Sequence, residues 1–177
     1  MKKDLLIVAF IIAIISIVVT GTKFQTVEEY YTTHADDITA DSDVVTLAIT
    51  ASALAKHPER LKPELRKYVP SDGLILKKKK YVLRKDDTVF DILQRATRQE
   101  RIQMEYQGAN ESAYKSIYIQ GINYLYEFSA GERSGWMYRV NNNFPSVGVS
   151  RYQLKNGDTI ELMYTTDLGK DIGGDMR

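Results

Sequence analysis

The sequence predicts an α+β fold in which a mixed β-sheet packs on one main helix, preceded by an apolar N-terminal segment. Three patterns support this prediction: an apolar run near the start, an amphipathic helix pattern near residue 90, and strand patterns on both sides of that helix. The chain has 177 residues, which is enough for one modest domain once the first segment is set aside. Its 44% hydrophobic and 27% charged residues are typical of a globular protein rather than a disordered one.

The charge and the cysteine content exclude several classes of function. The 24 basic and 23 acidic residues give a net charge of +1, so no overall field attracts nucleic acid, and nucleic acid is not an expected partner. The sequence contains no cysteine, which excludes disulfides, thiolate catalysis, thiolate metal ligands and a lipid-modified cysteine. Any attachment to a membrane must therefore use the apolar segment.

That apolar segment begins at Leu5 and ends at Val19, contains a single polar residue, and follows the basic pair Lys2 and Lys3. Such a run at the N-terminus predicts an export signal. Residues 1–22 form either a transmembrane signal anchor or a cleaved signal peptide in this interpretation, and the anchor is favoured because the helix would reach about 27 Å. The predicted location is the cell membrane, as a single-pass protein, or the secreted fraction if the N-terminus is cleaved.

Residues 23–43 are polar and acidic, and predict an extracellular spacer. Basic residues before the apolar segment and acidic residues after it place the body of the protein outside the cell. The aspartates of the spacer lack the spacing of an EF-hand and its closing glutamate, so a solvated linker is favoured over a calcium loop. These aspartates are Asp36, Asp37, Asp41 and Asp43.

The domain begins with strand patterns at residues 44–50 and 74–83, and a short helix is predicted between them at residues 58–68. The second strand contains four consecutive lysines, at positions 77–80. Lysines in that position are typical of an exposed sheet edge that is protected from aggregation, and contact with anionic headgroups or wall polymers is the alternative.

The main helix is predicted between residues 85 and 99. Thr88 and Asp91 have the spacing of a capping box, and an apolar stripe follows on one face. Further strands are predicted at residues 102–106, 116–119, 136–141 and 159–165, the last of them after an Asn-Gly turn at positions 156 and 157. This order predicts a β-grasp-like mixed sheet around the helix. A small antiparallel sandwich is the alternative, and it would leave the apolar stripe without a sheet to cover.

The strand around residue 136 carries the candidate ligand-binding residues. Alternation places Trp136, Tyr138 and Val140 on one face, with Met137 and Arg139 on the other. Trp136 is interpreted as a core anchor or as a surface on which a planar ligand stacks. The asparagines at positions 141–143 either form a hairpin turn or line the rim of a site. The predicted ligand-binding residues are Trp136, Tyr138, Asn141, Asn143, Phe144 and Tyr152.

Catalysis has little support in the sequence. The two histidines, His34 and His57, are not accompanied by a nucleophile motif or by metal-ligand spacing. Ser134 lacks the G-x-S-x-G frame of a nucleophile elbow. We therefore expect a protein that is not an enzyme and has neither a catalytic metal nor a resident cofactor.

Four segments together resemble a known family: VVTLAIT, KKYVLRKDDTVFDIL, YIQGINYLYEFSAGERSGWMYRVNNNFP and VGVSRYQLKNGDTIELMYTTDLGKDIGG. They are similar to the transcobalamin-like C-terminal domain, known in bacteria as a domain of unknown function on cell-surface proteins. The resemblance assigns residues 44–166 to this domain and leaves 167–177 as a flexible tail. It implies a β-grasp-like fold and a binding role.

In the vertebrate carriers of this family, such a domain closes over one face of cobalamin and a helical barrel holds the other face. The present chain has no room for the barrel, so the resemblance implies half of a site. The expected function is a membrane-tethered extracellular module that binds a planar small molecule, with a corrinoid such as cobalamin as the candidate and a partner protein completing the site. A structural or protein-interaction module without a small-molecule ligand is the alternative.

Overall fold

The structure is a computed structural model that describes Ile7, Phe10 and residues 36–110 and 115–174. The chain divides into two compact units, Met1–Asp37 and Ile38–Arg177, and the fold reported below is that of the second unit. Within the described residues, none of the helices has the length and apolar character that crossing a membrane requires. Apart from Ile7 and Phe10, the predicted signal segment lies outside the described residues.

The second unit is built of β-strands, α-helices and 3₁₀ turns. The strands are β1 (Val44–Thr50), β2 (Leu74–Val82), β3 (Met104–Gln107), β4 (Tyr118–Ile122), β5 (Leu125–Tyr126), β6 (Gly135–Val140) and β7 (Thr159–Thr165). The α-helices are α1 (Ser52–Lys56) and α2 (Val89–Gln99), and 3₁₀ turns lie at Pro58–Arg60, Pro63–Tyr68 and Lys170–Ile172. The helix predicted at residues 58–68 is therefore two 3₁₀ turns, each opened by a proline at its first positions.

The strands of the described residues form two sheets. The larger is mixed, with the order β2-β1-β7-β6, and its central strands β1 and β7 run parallel while the outer pairs are antiparallel. The smaller is antiparallel, with the order β3-β4-β5. The predicted α+β class and mixed sheet are confirmed, whereas the separation of β3, β4 and β5 into a second sheet was not predicted.

The main core lies between α2 and the larger sheet. Val89, Ile92, Leu93 and Ala96 of the helix are fully buried and form one cluster with residues of β1 and β7, such as Leu47. At the start of α2, the backbone N–H of Thr88 donates to Asp91 Oδ2 at 2.8 Å, and the predicted capping box is present. The apolar stripe of α2 therefore packs on the larger sheet. The mixed-sheet prediction requires this packing, whereas the sandwich alternative leaves the stripe uncovered.

Strand β2 is at the edge of the larger sheet, and its four lysines are exposed. Leu47 is paired with Lys79 but Ile49 is paired with Leu76, so β2 contains one extra residue within the lysine run. Such a bulge twists an edge strand and interrupts the row of groups that another chain could pair with. The predicted exposed edge is confirmed, and its protection from aggregation stays a prediction.

The chain beyond β7 returns to the body of the unit. Asp171 Oδ2 accepts hydrogen bonds from the backbone N–H of Thr166 at 2.7 Å and from its hydroxyl at 2.8 Å. Leu168 N–H donates to the carbonyl of Arg133 at 3.0 Å. The flexible tail predicted for residues 167–177 is described as far as residue 174, and this part is hydrogen-bonded to the end of β7.

Candidate aromatic ligand-binding site

Strand β6 presents two different faces, as its alternation predicts. Trp136 and Tyr138 are half-buried and pack against the main core. Arg139 lies on the opposite face, where its Nε is 2.6 Å from Oε2 of Glu161 on the neighbouring strand. The face that carries the aromatic rings is therefore the face that meets α2 and the loops around it.

Trp136 is held in one position by its contacts. Its indole Nε1–H donates to the carbonyl of Leu125 at 2.8 Å. Its ring meets that of Tyr164 edge-to-face, with centroids 5.2 Å apart and planes at 84°. Tyr164 is itself fully buried, and its hydroxyl donates to the carbonyl of Tyr126 at 2.7 Å. The part of Trp136 that remains accessible is thus a rigid surface.

An open cavity of about 420 Å³ lies against this surface, and we call it the aromatic cavity. Trp136 and Tyr138 form one wall, residues 144–148 form a second, and residues 116–118 with Arg151 complete the lining. A smaller cavity of about 150 Å³ shares Trp136 and Tyr138 and reaches Leu162 of β7. The two together make a slot that is mainly apolar, with polar groups at its rim.

Hydrogen bonds tie the walls of the aromatic cavity to one another. Tyr138 Oη donates to the carbonyl of Val147 at 2.5 Å, which connects β6 to the second wall. Ser150 Oγ accepts from Ile117 N–H at 3.0 Å and lies 2.9 Å from Ser116 Oγ, which connects the third wall. Burial raises the pKa of Tyr138, so its hydroxyl keeps the proton that it donates.

Three of the predicted ligand-binding residues line the aromatic cavity: Trp136, Tyr138 and Phe144. Tyr152 does not line it, and supports Tyr138 from behind, with ring centroids 6.4 Å apart at 81°. Ile117, Tyr118 and Pro145 also line the cavity, although they are not among the six predicted ligand-binding residues. Ile117 carries no local signal, and the aromatic or proline character of Tyr118 and Pro145 does not show which segments meet.

Asn141 and Asn143 belong to the hairpin turn rather than to the lining. Asn141 and Asn142 have positive φ angles of 50° and 67°, which Asn tolerates better than most residues. The Asn141 side chain donates to Asp158 Oδ1 at 2.8 Å and accepts from Thr159 N–H at 2.9 Å. Of the two interpretations of these asparagines, the hairpin turn is the one that the structure supports.

The described residues that line the aromatic cavity include no histidine, aspartate or glutamate. Within the described residues, no group of three or more His, Cys, Asp or Glu side chains is placed to hold a metal ion. The Ser134 hydroxyl donates to the carbonyl of Gly131 at 2.7 Å, and the serine is buried. His57 is exposed and lies 3.2 Å from Glu59, while His34 lies outside the described residues. The chemistry that this lining offers is stacking and apolar contact.

A second and larger cavity, of about 760 Å³, lies on the opposite face of the same sheet, and we call it the outer cleft. One wall is α1 with the 3₁₀ turn Pro58–Arg60, the other is the segment 166–172, and the floor includes Glu161 and Met163 of β7. Its lining mixes cationic, anionic and apolar side chains. No sequence pattern indicates this cleft, because its residues come from segments more than 100 positions apart.

Comparison with known proteins finds a family model that matches part of this domain. Residues 86–166 match the family model described as a domain of unknown function (DUF4430). The match lies inside the domain predicted at residues 44–166 and confirms the family recognition that the motifs predict. A search of the curated proteins gave no match.

Two solved structures are similar in chain trace. One is a candidate metal-binding protein from Ruminococcus gnavus ATCC 29149, at 10% identity and a TM-score of 0.40, where the similarity covers 70% of this chain and 96% of that chain. The other is haptocorrin in complex with Cbi, at 11% identity and a TM-score of 0.47. The similarity covers 74% of this chain and 27% of the haptocorrin chain. The present chain therefore spans about a quarter of the length of haptocorrin.

Proposed function

We propose that this protein is a membrane-tethered extracellular module that binds a planar small molecule in the aromatic cavity. The observation that carries the proposal is the cavity itself, in which Trp136, Tyr138 and Phe144 converge around about 420 Å³ of open space. This volume lies in the usual range of small-molecule sites, which is roughly 300 to 1,000 Å³. Rings fixed by packing and hydrogen bonds are pre-organised for stacking, so a ligand loses little affinity to ordering them.

A corrinoid such as cobalamin is the first candidate ligand. The family resemblance supports it, since the vertebrate carriers use a domain of this kind to cover one face of cobalamin. The aromatic cavity is open to solvent and much smaller than a corrin ring with its side chains, so it would contact one edge or face only. A second protein that covers the rest of the ligand belongs to this proposal, and so does a binding rather than a catalytic role.

The ligand is tested by titrating the full-length chain, in a neutral detergent, with cobalamin and with cobinamide. Trp136 is the only tryptophan, so its fluorescence reports on the aromatic cavity itself. Isothermal titration calorimetry provides a second readout, because corrinoids absorb light in the region of tryptophan emission. We expect saturable quenching and a matching heat of binding.

Phe144→Ala removes a lining ring without touching the fixed Trp136, and we expect it to weaken binding at least about fivefold. Phe128→Ala is the matched control, because Phe128 is 62% exposed and does not line the aromatic cavity. Equal effects of the two substitutions, or the absence of saturable heat and quenching with either corrinoid, would count against the proposed site.

The location is tested separately. We expect the full chain to remain in the membrane fraction after alkaline carbonate extraction, and to be digested by protease added to intact cells. Deletion of residues 1–22 removes the apolar segment and should keep the protein out of the membrane fraction. Recovery of the full chain in the soluble fraction of the cells would contradict the tether.

A protein-interaction module is the second candidate function, and exposed aromatic side chains favour it. Tyr124 is 47% exposed and stacks on Tyr68, with ring centroids 4.7 Å apart, and Phe128 is exposed as well. Aromatic rings of this kind are enriched where proteins meet. This function predicts capture of a partner protein by the intact chain, loss of that capture with Tyr124→Ala, and no response to corrinoids.

A further inference from the structure

Three cations of the outer cleft have no ion pair with a carboxylate in the described part of the protein. Lys56 and Arg60 belong to one wall, and Lys170 to the other. All three are exposed, and no carboxylate of the described residues lies within ion-pair distance of them. Their positive charges therefore face the same open volume.

The carboxylates of the outer cleft already have partners. Glu161 pairs with Arg139 at 2.6 Å, and Asp167 pairs with Arg133 at 3.0 Å. Burial would raise the pKa of Asp171, but hydrogen bonds from Thr165 and Thr166 outweigh it and hold that pKa below its ordinary value. The cleft is lined by more cations, Lys56, Arg60, Arg139 and Lys170, than carboxylates, which are Glu161, Asp167 and Asp171, so a net positive charge remains.

Arg60 is held in place by a bridge between the two walls. Its Nη1 donates to Thr166 Oγ1 at 2.6 Å, and the same hydroxyl donates to Asp171 Oδ2 at 2.8 Å. A guanidinium carries five N–H donors, so one bond to Thr166 leaves most of the fork available. A donor fork fixed by a second wall is a preformed element of an anion site.

We propose that the outer cleft binds a phosphate-bearing ligand between Lys56, Arg60 and Lys170. A phosphate group offers several strong acceptor oxygens and up to two negative charges, which suits an arginine fork flanked by two lysines. The volume of about 760 Å³ exceeds that of a phosphate alone, and Leu74, Met163 and Ile172 provide apolar contact for the rest of the ligand. The site is distinct from the aromatic cavity and does not depend on the function proposed for it.

The proposal is tested by calorimetric titration of the full chain, in neutral detergent, with inorganic phosphate and pyrophosphate. We expect saturable binding that is tighter for pyrophosphate and weaker at higher salt. The double substitution Lys56→Gln/Lys170→Gln should weaken pyrophosphate binding at least about tenfold. Arg60→Gln should have a similar effect, because it removes the fork.

The matched control is Lys85→Gln/Lys155→Gln, which removes the same charge. Lys85 follows the end of β2 and Lys155 precedes β7, so both lie at the end of the sheet that is remote from the outer cleft, near Val44 and its partner Val82. We expect this control to change the affinity less than about twofold. An equal loss in the control, or no saturable binding of pyrophosphate at millimolar concentration, would overturn the proposal.

Two sources of the phosphate are separated by a third probe, glycerophosphoglycerol, which is a soluble phosphodiester. Tighter binding of this diester than of pyrophosphate identifies a lipid headgroup or a wall polymer, and the reverse identifies a soluble phosphate ester. The Phe144→Ala variant should bind pyrophosphate like the unaltered chain. A failure to bind corrinoids would therefore not affect the test of phosphate binding, and a failure to bind phosphate would not affect the test of corrinoid binding.

Discussion

At the scale of single residues, the aromatic cavity depends on the absence of a side chain at Gly148. A Cβ atom built there would lie 2.1 Å from Ser116 Oγ and 2.5 Å from Ser116 Cβ. Ser116 is 1% exposed and is bonded to Ser150, so it has no room to move aside. We expect Gly148→Ala to lower the free energy of unfolding by about 1 to 3 kcal/mol, measured by urea denaturation.

Gly108→Ala is the control for that substitution, because among the described residues, its chain neighbours aside, no atom lies within 4 Å of the Cβ that it would add. It should leave the free energy of unfolding within about 0.5 kcal/mol of the unaltered chain. Ser116→Gly combined with Gly148→Ala clears the clash and should recover part of the loss. If Gly148→Ala is as stable as Gly108→Ala, the packing described for these two walls is wrong.

A second residue-scale prediction concerns the ion pair of Asp87 and Arg95. The guanidinium contacts both carboxylate oxygens, at 3.0 Å and 2.6 Å, and also donates to the carbonyl of Val82 at 2.9 Å. Burial would raise the pKa of Asp87, but the hydrogen bonds from Arg95 and from the backbone of Arg84 outweigh it and lower that pKa. The stability that Asp87 contributes is therefore present at a pH above 3.8, the ordinary pKa of an aspartate, and it is lost as the pH falls below that value.

We expect Asp87→Asn to cost about 1 to 3 kcal/mol at neutral pH, since it weakens the bonds that satisfy a half-buried guanidinium. The same variant should lose less stability than the unaltered chain when the pH falls from about 5 to about 3. Urea denaturation across this range measures both effects. Glu64→Gln, at an exposed position, serves as the control, and a parallel acid dependence in Asp87→Asn and the unaltered chain would contradict the prediction.

At the scale of elements, α2 depends on the hydrogen bonds at its first turn. The Thr88 side chain accepts from Asp91 N–H at 3.4 Å, and Asp91 accepts in return from Thr88 N–H. Thr88→Ala removes the hydroxyl and should lower the free energy of unfolding by about 1 kcal/mol, whereas Thr88→Ser keeps it and should cost less. Equal losses in the two variants, measured by thermal or urea unfolding, would show that the cap contributes nothing.

Elements with a strong local signal were predictable from the sequence. The bounds of β1 and β7 are those that their β-branched and apolar runs predict, and α2 begins at the predicted cap. Strand β5 was missed because two residues cannot show a period. Its place is set by tertiary contact instead, since a Cβ on Gly121 of β4 would lie 2.6 Å from the Tyr126 ring.

The candidate site was only partly predictable, for a related reason. Trp136, Tyr138 and Phe144 lie close together in the sequence, and their aromatic character marked them. Ile117 joins them through a hydrogen bond to Ser150, which is 33 residues away. The outer cleft joins residues that are even further apart in the sequence, because Arg60 donates to Thr166, which is 106 residues away. Contacts of this range are decided by how the sheet closes, and no short window of sequence contains them.

At the scale of the whole molecule, buried tyrosines set the response to alkaline pH. Burial raises the pKa of Tyr81 to about 12, with the charge of Glu100 as a smaller cause, and burial also raises the pKa of Tyr138 and Tyr164. Folding favours the neutral form of these tyrosines. The stability that they contribute is therefore fully present below about pH 10, and it is lost as the pH rises from 10 towards 12. We expect the free energy of unfolding to fall steadily over that interval.

Tyr81→Phe separates one part of this response. Within the described residues, the Tyr81 hydroxyl is buried and has no hydrogen-bond partner, so its removal should leave stability at pH 8 unchanged or raise it by about 1 kcal/mol. The variant should also lose less stability between about pH 10 and 12. Tyr124→Phe, at an exposed ring, is the control. An alkaline loss that is identical in all three proteins would exclude Tyr81 as a contributor.

The aromatic cavity and the outer cleft lie on opposite faces of the same two strands, because Trp136 and Tyr138 line the first while Arg139, Glu161 and Met163 line the second. The backbone of β6 and β7 therefore separates the two ligand volumes. If both are occupied in the working protein, thermodynamic linkage requires their influence on each other to be reciprocal: the factor by which a phosphate ligand changes the corrinoid affinity equals the factor by which the corrinoid changes the phosphate affinity.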